Sequence, residues 1–194
     1  MSNKNLFERN VFGLPRRQVK HANDFQARLI MMDGNAIDSS IYGMVKELYN
    51  MSIYEQLPVF MKDPRFKRKL DWALDPVQRS EMFSLEMEET AKLITMEANT
   101  GMVVGYLAMN VQNHVLALYI MPAFRKDRIG LSLLELYINR FDVKEVTAAV
   151  GYQSPDALAF FDRLGFVQDD SEQTAYPTNT AITNLIWRLA KDIN

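Results

Sequence analysis

The sequence predicts a single domain of the α/β (α+β) class, in which one sheet is covered by helices on both faces. Three apolar segments follow one another across short turns between residues 92 and 120, which is typical of a strand meander. Segments with helical spacing then alternate with one further strand. In the third strand of the meander, apolar residues occupy both faces, so we expect this strand to lie centrally in the sheet.

Composition limits the class of protein. The chain has 194 residues, 48% of them apolar, which is enough for one substantial core. Its net charge of −2 argues against general nucleic-acid binding. It has no cysteine, which excludes a disulfide framework and a thiolate nucleophile or metal site, and we predict no metal. Because no signal peptide and no run of ~18 apolar residues is present, we expect a cytoplasmic protein without a membrane partner.

Residues 1–24 are predicted to form an N-terminal arm, and residues 25–194 a single domain. The arm has weak periodicity and carries five basic side chains against two acidic ones. Two interpretations are open: a basic arm that docks a partner, or a strap that lies on the surface of its own domain.

The first elements follow from spacing and capping signals. Residues 25–32 suit a strand. The next segment has helical spacing, with apolar residues at Ile37, Ile41, Met44, Val45 and Leu48. Asp63-Pro64 and Asp75-Pro76 each indicate a helix start, because aspartate caps free N–H groups and proline suits the first turn.

The meander and the helix after it form the centre of the predicted fold. Its strands are expected at 92–98, 102–111 and 114–120. The helix enters at Gly130, and its buried face comprises Gly130, Leu133, Leu134, Tyr137, Ile138 and Phe141.

The last elements are a strand at 143–150, a helix and a terminal segment. The helix lies in "SPDALAFFDRLGF", with Ser154 as N-cap, Pro155 at the first position and Gly165 as the stop. Residues 180–191 fit a strand by alternation and a helix by spacing, and periodicity alone leaves both open.

Basic residues crowd the loop before the helix at Gly130. The stretch "PAFRKDRIGLSLLE" contains Arg125, Lys126 and Arg128. Free N–H groups at a helix N-terminus, with the positive end of its dipole, form an anion site, and these cations add to it. A solvated basic turn is the alternative interpretation, and Gly130 also suits close packing of the helix on a strand.

This loop resembles the central motif of the GNAT superfamily of N-acetyltransferases. That motif is Gln or Arg, two residues, Gly, one residue, then Gly or Ala, after a strand ending in an apolar residue two before Pro. It is matched here by Ile120, Pro122, Arg125, Ile129 and Gly130. "SPDALAFFDRLGF" is similar to the family's "N..A..FY..LGF" helix. The resemblance extends from about Phe25 to Lys191, and it implies a GNAT-like mixed central sheet, largely antiparallel, with helices on both faces.

Three residues depart from the family pattern. Arg128 stands at the first glycine of the motif, Ser154 replaces Asn, and Phe161 replaces the common Tyr. Glycine avoids a side chain where backbone N–H groups face a pyrophosphate, so Arg128 is expected either to point outward or to contact phosphate directly.

The resemblance implies an acyl-CoA-dependent N-acyltransferase that moves an acetyl group from acetyl-CoA to a primary amine of a small molecule or peptide. The alternative is a non-catalytic CoA-binding module with a regulatory or protein-interaction role, and a homodimer is left open. The residues that the resemblance assigns to CoA binding are Tyr119, Ile120, Arg125, Lys126, Asp127, Arg128, Ile129, Gly130, Leu131, Ser154 and Phe161.

The family's reaction is a direct attack of the amine on the thioester. In the family, the strand ending near Ile120 splays away from the next one, and a main-chain N–H near Ile120 would stabilise the oxyanion. The family's tyrosine commonly protonates the departing thiolate. With Phe161 there, Tyr152 or water is expected to serve, since releasing a thiol of pKa ~8.5 as thiolate at pH 7 costs only roughly 2 kcal/mol.

His114 is the candidate base. Neutralising a lysine-like amine of pKa ~10.4 at pH 7 costs roughly 4–5 kcal/mol, and an imidazole near pKa ~6.5 suits that task. Several family members place a Glu or His at the corresponding point. Alternatively, His114 only hydrogen-bonds in the turn, and Glu97 acts through water. The acceptor site is expected around residues 42–57 and the loop 171–180.

Overall fold

The sheet is built outward from four antiparallel strands, the last three of which form the predicted meander. The structure, a computed structural model, describes residues 11–12, 25–31, 37–151, 154–169 and 182–189. The four strands are β1 (Phe25–Met31), β2 (Lys92–Ala98), β3 (Val103–Met109) and β4 (His114–Ile120). The sheet is completed by β5 (Glu145–Gly151), β6 (Val167–Gln168) and β7 (Ile182–Arg188), in the order β1-β2-β3-β4-β5-β7-β6.

The strand directions confirm the mixed, largely antiparallel sheet. Only β4 and β5 run parallel among the described pairs, and every other neighbouring pair is antiparallel. A parallel pair needs a crossover, and the helix that follows β4 supplies it. As predicted, β4 is the fourth of the seven strands and therefore central.

Helices cover both faces of the sheet. One face is covered by α1 (Ser39–Lys62), α2 (Lys67–Leu74) and α3 (Pro76–Glu89), and the other by α4 (Ile129–Phe141) and α5 (Pro155–Arg163). We call these the α1 face and the α4 face. Each face has its own apolar core, so β3, which lies between the two, is buried along its whole length. No helix in the described ranges is long and apolar enough to cross a membrane.

Capping explains where two of the helices begin. The Asp75 side chain accepts hydrogen bonds from the N–H groups of Val77 and Gln78, and Pro76 occupies the first turn, as predicted. The Asp38 side chain caps α1 in the same way, through Ser40. At Asp63-Pro64, the other predicted start, a 3-10 helix (Pro64–Phe66) begins and continues directly into α2 at Lys67.

The C-terminal segment is a strand. β7 pairs antiparallel with β5 along seven residues, from Glu145↔Arg188 to Gly151↔Ile182. Leu185, Ile186 and Trp187 are all buried, which a strand inside a two-sided sheet permits. Pairing with β5 and β6 therefore settles what periodicity left open. In the N-terminal arm, the Phe12 ring packs edge-on against Trp187, with ring centroids 5.3 Å apart.

Gly105 provides a test of the packing between β3 and β4. A Cβ atom at this position would lie 2.5 Å from Ile120 Cδ1 and 3.0 Å from the Tyr119 carbonyl oxygen. We expect Gly105→Ala to lower the free energy of unfolding by about 1–3 kcal/mol, because the backbone oxygen cannot move aside easily. Urea denaturation measures this change.

Gly43 is the matched control. It lies on the exposed side of α1, and a Cβ atom there would meet nothing within 4 Å. Gly43→Ala should raise the free energy of unfolding by about 0.5–1 kcal/mol through helix propensity. Equal effects of the two substitutions would contradict this account of Gly105.

Candidate functional site

β4 and β5 diverge and leave a gap in the sheet. Their ladder contains only two pairs, His114↔Thr147 and Val115↔Ala148. On its other side β4 stays paired with β3 as far as Ile120. Backbone groups on the β5 side of residues 116–120 therefore have no ladder partner in the described residues. The divergence that the family resemblance implied is present, and the gap opens toward the end of β4.

A β-bulge lies where the gap begins. Ala117 pairs with Ala108 and Val115 pairs with Met109, so Leu116 is an extra residue in β4. A bulge bends the strand and changes the direction of nearby side chains, and bulges are common beside active sites. No feature of the sequence indicates this bulge.

The wide end of the gap meets the N-terminus of α4. The first bond of the helix runs from the Ser132 N–H to the Arg128 carbonyl. The N–H groups of Ile129, Gly130 and Leu131 precede it, so they have no acceptor within the helix. The side chains of Ile129 and Leu131 are buried in the core, and their backbone N–H groups lie at the positive end of the α4 dipole, an arrangement that suits an anion.

Arg128 occupies the N-cap of α4 in a left-handed conformation. Its φ and ψ are 61° and 16°, and its side chain makes no capping hydrogen bond. For a residue with a Cβ atom, this conformation costs roughly 1–2 kcal/mol. Glycine adopts a left-handed conformation without this cost, which explains why the family motif has glycine at this position. Arg128 adopts the same conformation under strain.

Gly130 allows close packing inside the α4 face. A Cβ atom there would lie 3.4 Å from the Phe160 ring and 3.7 Å from the Ile120 side chain. A larger side chain would therefore press into the core between α4, α5 and β4. Gly130 therefore serves close packing of α4, as one interpretation of the sequence predicted, and its backbone N–H also lies in the first turn of the helix.

Arg125 turns toward the α1 face. Its Nε donates to the Ile120 carbonyl over 2.9 Å, and its guanidinium lies 5.5 Å from the centre of the Tyr119 ring. Its Nη2 contacts Oε2 of Glu55 at 2.5 Å, and the Tyr119 hydroxyl donates to Oε1 of the same carboxylate over 2.8 Å. The guanidinium is thus held by three partners, whereas the sequence led us to expect that it adds positive charge at the N-terminus of α4. In the same loop Lys126 is exposed.

Asp127, also assigned to CoA binding, is only half-buried. Its N–H donates to the Phe124 carbonyl. Its backbone therefore closes the turn that leads into α4.

His114 lies at the closed end of the gap. Its Nδ1 is 2.8 Å from the Thr147 hydroxyl, which joins the first residue of β4 to β5. Ile120 is at the other end of β4, roughly 20 Å away at ~3.3 Å per residue. The structure therefore does not bring His114 near the basic loop that precedes α4. Glu97 forms an ion pair with Arg28, with 3.4 Å between Arg28 Nε and Glu97 Oε1.

Helix α5 contributes packing. Ser154 occupies its N-cap, but the side chain makes no capping hydrogen bond, and the Ser154 carbonyl accepts from the Ala157 N–H instead. Phe161 is 5% exposed, and its ring packs against Phe160 and Phe166 at 5.3 and 4.8 Å. Tyr152, the candidate acid, lies outside the described residues.

The expected acceptor region is partly described. Tyr42 and Tyr49 both pack against Phe83, and the Tyr54 hydroxyl accepts a hydrogen bond from Arg79 over 3.1 Å. The loop 171–180 lies outside the described residues. Within the described ranges, no three His, Asp or Glu side chains gather as a metal site.

Glu86 was missed by sequence reasoning. It lies on α3, and its Oε1 is 3.4 Å from the hydroxyl of Tyr106, a fully buried residue of β3. Burial raises the pKa of Glu86 to about 7, against a weaker lowering effect of the Tyr106 hydrogen bond. The stretch "EMEET" gives no sign of this, because glutamates on a helix usually face water.

Comparison with known proteins identifies the family. The family model described as "Acetyltransferase (GNAT) domain" matches residues 68–176, more than half of the chain. The chain therefore belongs to the GNAT acetyltransferase family. No curated protein sequence matches it significantly.

Solved structures share the fold at low sequence identity. The PaiA N-acetyltransferase of Thermoplasma acidophilum, in complex with coenzyme A, is 14% identical with a TM-score of 0.58, covering 84% of this chain and 98% of that one. A GNAT acetyltransferase from Staphylococcus aureus Mu50 is 15% identical with a TM-score of 0.57, covering 85% and 100%. An acetyltransferase from Streptococcus agalactiae 2603 is 14% identical with a TM-score of 0.57, covering 84% and 98%. At this identity, the likeness shows the fold alone.

The conformation of Arg128 yields one prediction. We expect Arg128→Gly to be more stable than Arg128→Ala by about 1 kcal/mol, because both variants lose the side chain and only the first relieves the left-handed strain. Urea denaturation compares the two directly. Equal stabilities would show that the backbone at residue 128 is not strained.

Glu86 yields a second prediction, on pH. Its folded pKa of about 7 exceeds the usual value of 4.5, so the folded state holds the extra proton between these values. The free energy of unfolding should therefore fall as pH rises from ~5 to ~7, by about 2 kcal/mol from this group. Glu86→Gln should remove that part of the fall, whereas Glu81→Gln, on the exposed side of α3, should retain it. Parallel pH profiles of the wild type and Glu86→Gln would contradict the assignment.

Proposed function

We propose that this protein is an acyl-CoA-dependent N-acyltransferase that moves an acetyl group from acetyl-CoA to a primary amine by direct attack. The observation that carries the proposal is the divergence of β4 from β5 beside the free N-terminus of α4. Family membership supplies the acetyltransferase class, and the similar Thermoplasma protein was solved with coenzyme A.

Each end of the gap suits a different part of acetyl-CoA. The N–H groups of residues 129–131 and the positive end of the α4 dipole suit the phosphates. The backbone of residues 116–119, which has no ladder partner on the β5 side, suits the amide groups of the pantetheine arm, which can complete the ladder that β5 leaves open. An arm laid along β4 directs the thioester toward the bulge at Leu116 and toward His114.

The chemistry needs three functions. A β4 backbone N–H facing the gap stabilises the negative charge on the thioester oxygen as the amine attacks. His114 accepts the proton of the amine, and the contact between its Nδ1 and Thr147 orients the ring. The thiolate leaves with a proton from Tyr152 or water. No covalent enzyme intermediate is needed in this route.

Binding and turnover test the proposal together. A thermal shift with acetyl-CoA measures binding, and thiol release against a panel of primary amines measures transfer. A shift with thiol release is expected. A shift without release across a wide panel would indicate a CoA-binding module without catalysis, and no shift would refute the CoA assignment.

The candidate base gives a further prediction. His114→Ala should lower the rate most near neutral pH and abolish the acidic limb of the pH–rate profile, because the group that must be deprotonated is gone. Thr147→Val is the control: it removes only the orienting contact, so the limb should persist at a lower rate. An unchanged acidic limb in His114→Ala would assign the base elsewhere.

A further inference from the structure

We propose that Glu55 recognises a positive charge of the acceptor, and that Arg125 occupies Glu55 until CoA binds. This inference rests on the proposed function and names the class of acceptor that the same site takes. It follows from one cluster, in which Arg125, Glu55 and Tyr119 join the CoA-side loop to α1. We call these three residues the Glu55 cluster.

The three residues of the Glu55 cluster come from different elements, and Glu55 is far from the other two in the sequence. Glu55 belongs to α1, Tyr119 to β4, and Arg125 to the loop that leads into α4. The carboxylate uses one oxygen for each partner, Oε2 for Arg125 and Oε1 for Tyr119. Loss of Arg125 would therefore leave Glu55 bound to Tyr119 alone and free one oxygen for a ligand.

The ion pair is open to exchange. The Arg125 and Glu55 side chains are 44% and 36% exposed, and ion pairs in such positions contribute little net stability. A pyrophosphate at the N-terminus of α4 would offer the guanidinium a doubly charged, bidentate partner. Since Arg125 lies three residues before the N-cap of α4, CoA and Glu55 compete for the same side chain.

The Tyr119 hydroxyl keeps Glu55 in place during the exchange. Burial, aided by the hydrogen bond to Glu55, holds the pKa of this hydroxyl well above its usual value, so it remains a donor at any physiological pH. After Arg125 leaves, the cluster is a positioned carboxylate with one phenol donor. Such a group favours a cation.

The position of Glu55 assigns it to the acceptor. The CoA anion site belongs to α4, on one face of the sheet, whereas α1 covers the other face. Two reactants that meet in the gap between β4 and β5 can approach from opposite faces. Tyr119 lies beside Ile120 at the wide end of the gap, so Glu55 borders the approach from the α1 face.

The charge of Glu55 decides which part of the acceptor it holds. A carboxylate stabilises an ammonium group, which would oppose deprotonation of the reacting amine. Glu55 therefore suits a second, non-reacting cationic group. The acceptor class that follows is an amine with an additional positive charge, such as a diamine.

Coenzyme A binding tests the exchange. Titration calorimetry would compare the wild type with Glu55→Gln and with Glu145→Gln, which breaks the exposed Glu145–Arg188 pair between β5 and β7. We expect Glu55→Gln to bind CoA about two- to fivefold more tightly, because the competing ion pair is gone. Glu145→Gln should bind CoA as the wild type does. Acetyl-pantetheine, which has no phosphates, should bind both variants and the wild type equally.

The acceptor half uses 1,5-diaminopentane as the probe. It should bind the CoA-saturated wild type more tightly than the CoA-free protein, and CoA-saturated Glu55→Gln should lose at least tenfold in affinity. Unchanged CoA affinity in Glu55→Gln would overturn the exchange. Equal diamine affinity in the two CoA-saturated proteins, or none in the wild type, would overturn the acceptor assignment. Failure of the wild type to bind CoA at all would instead refute the proposed function.

Discussion

The central constraint in this fold is that β4 is paired with β3 along its length, apart from the bulge at Leu116, and is mostly unpaired on its other side. Backbone N–H and C=O groups away from water require partners, so a gap inside a sheet is costly unless a ligand or solvent fills it. The antiparallel strands β1 to β4 form one unit, and β5 to β7 form a second unit that joins it through only two residue pairs. α4 crosses between the units, and its core of Leu133, Leu134 and Tyr137 holds them together.

The same connection explains the loop before α4. The chain must leave the end of β4 beside the gap and enter a helix that packs back on the sheet, which demands an abrupt change of direction. Arg128 makes that change with a positive φ, and the space at Gly130 lets the helix pack close to Ile120. The free N–H groups that result point out of the helix end where the gap is widest. Backbone geometry thus leaves these N–H groups free of helical partners before any side chain contributes.

The sequence predicted the elements that depend on local signals. Turn residues marked the meander, Asp75 and Pro76 marked α3, and apolar spacing marked α4, and all of these are in the structure. Features that depend on long-range contacts were not predictable. The bulge at Leu116 exists because β4 must pair with β3 while it leaves β5.

The Glu55 cluster is the same kind of case, since its ion pair joins residues 70 positions apart. Arg128 was only partly predictable from the sequence. The family motif identified its position, and only the backbone showed why glycine is preferred there.

Buried tyrosines on both faces of the sheet direct their hydroxyls at polar side chains, and on the α1 face this arrangement has a physical cost. On the α4 face, the Tyr137 hydroxyl donates to Asn113 Oδ1. On the α1 face, Tyr106 and Tyr119 point their hydroxyls at the carboxylates of Glu86 and Glu55. Removing a carboxylate from water opposes folding, and burial raises the pKa of Glu86 for the same reason. Apolar residues of similar size would stabilise this face more, and the hydrogen bond from a tyrosine hydroxyl to each carboxylate offsets part of that cost.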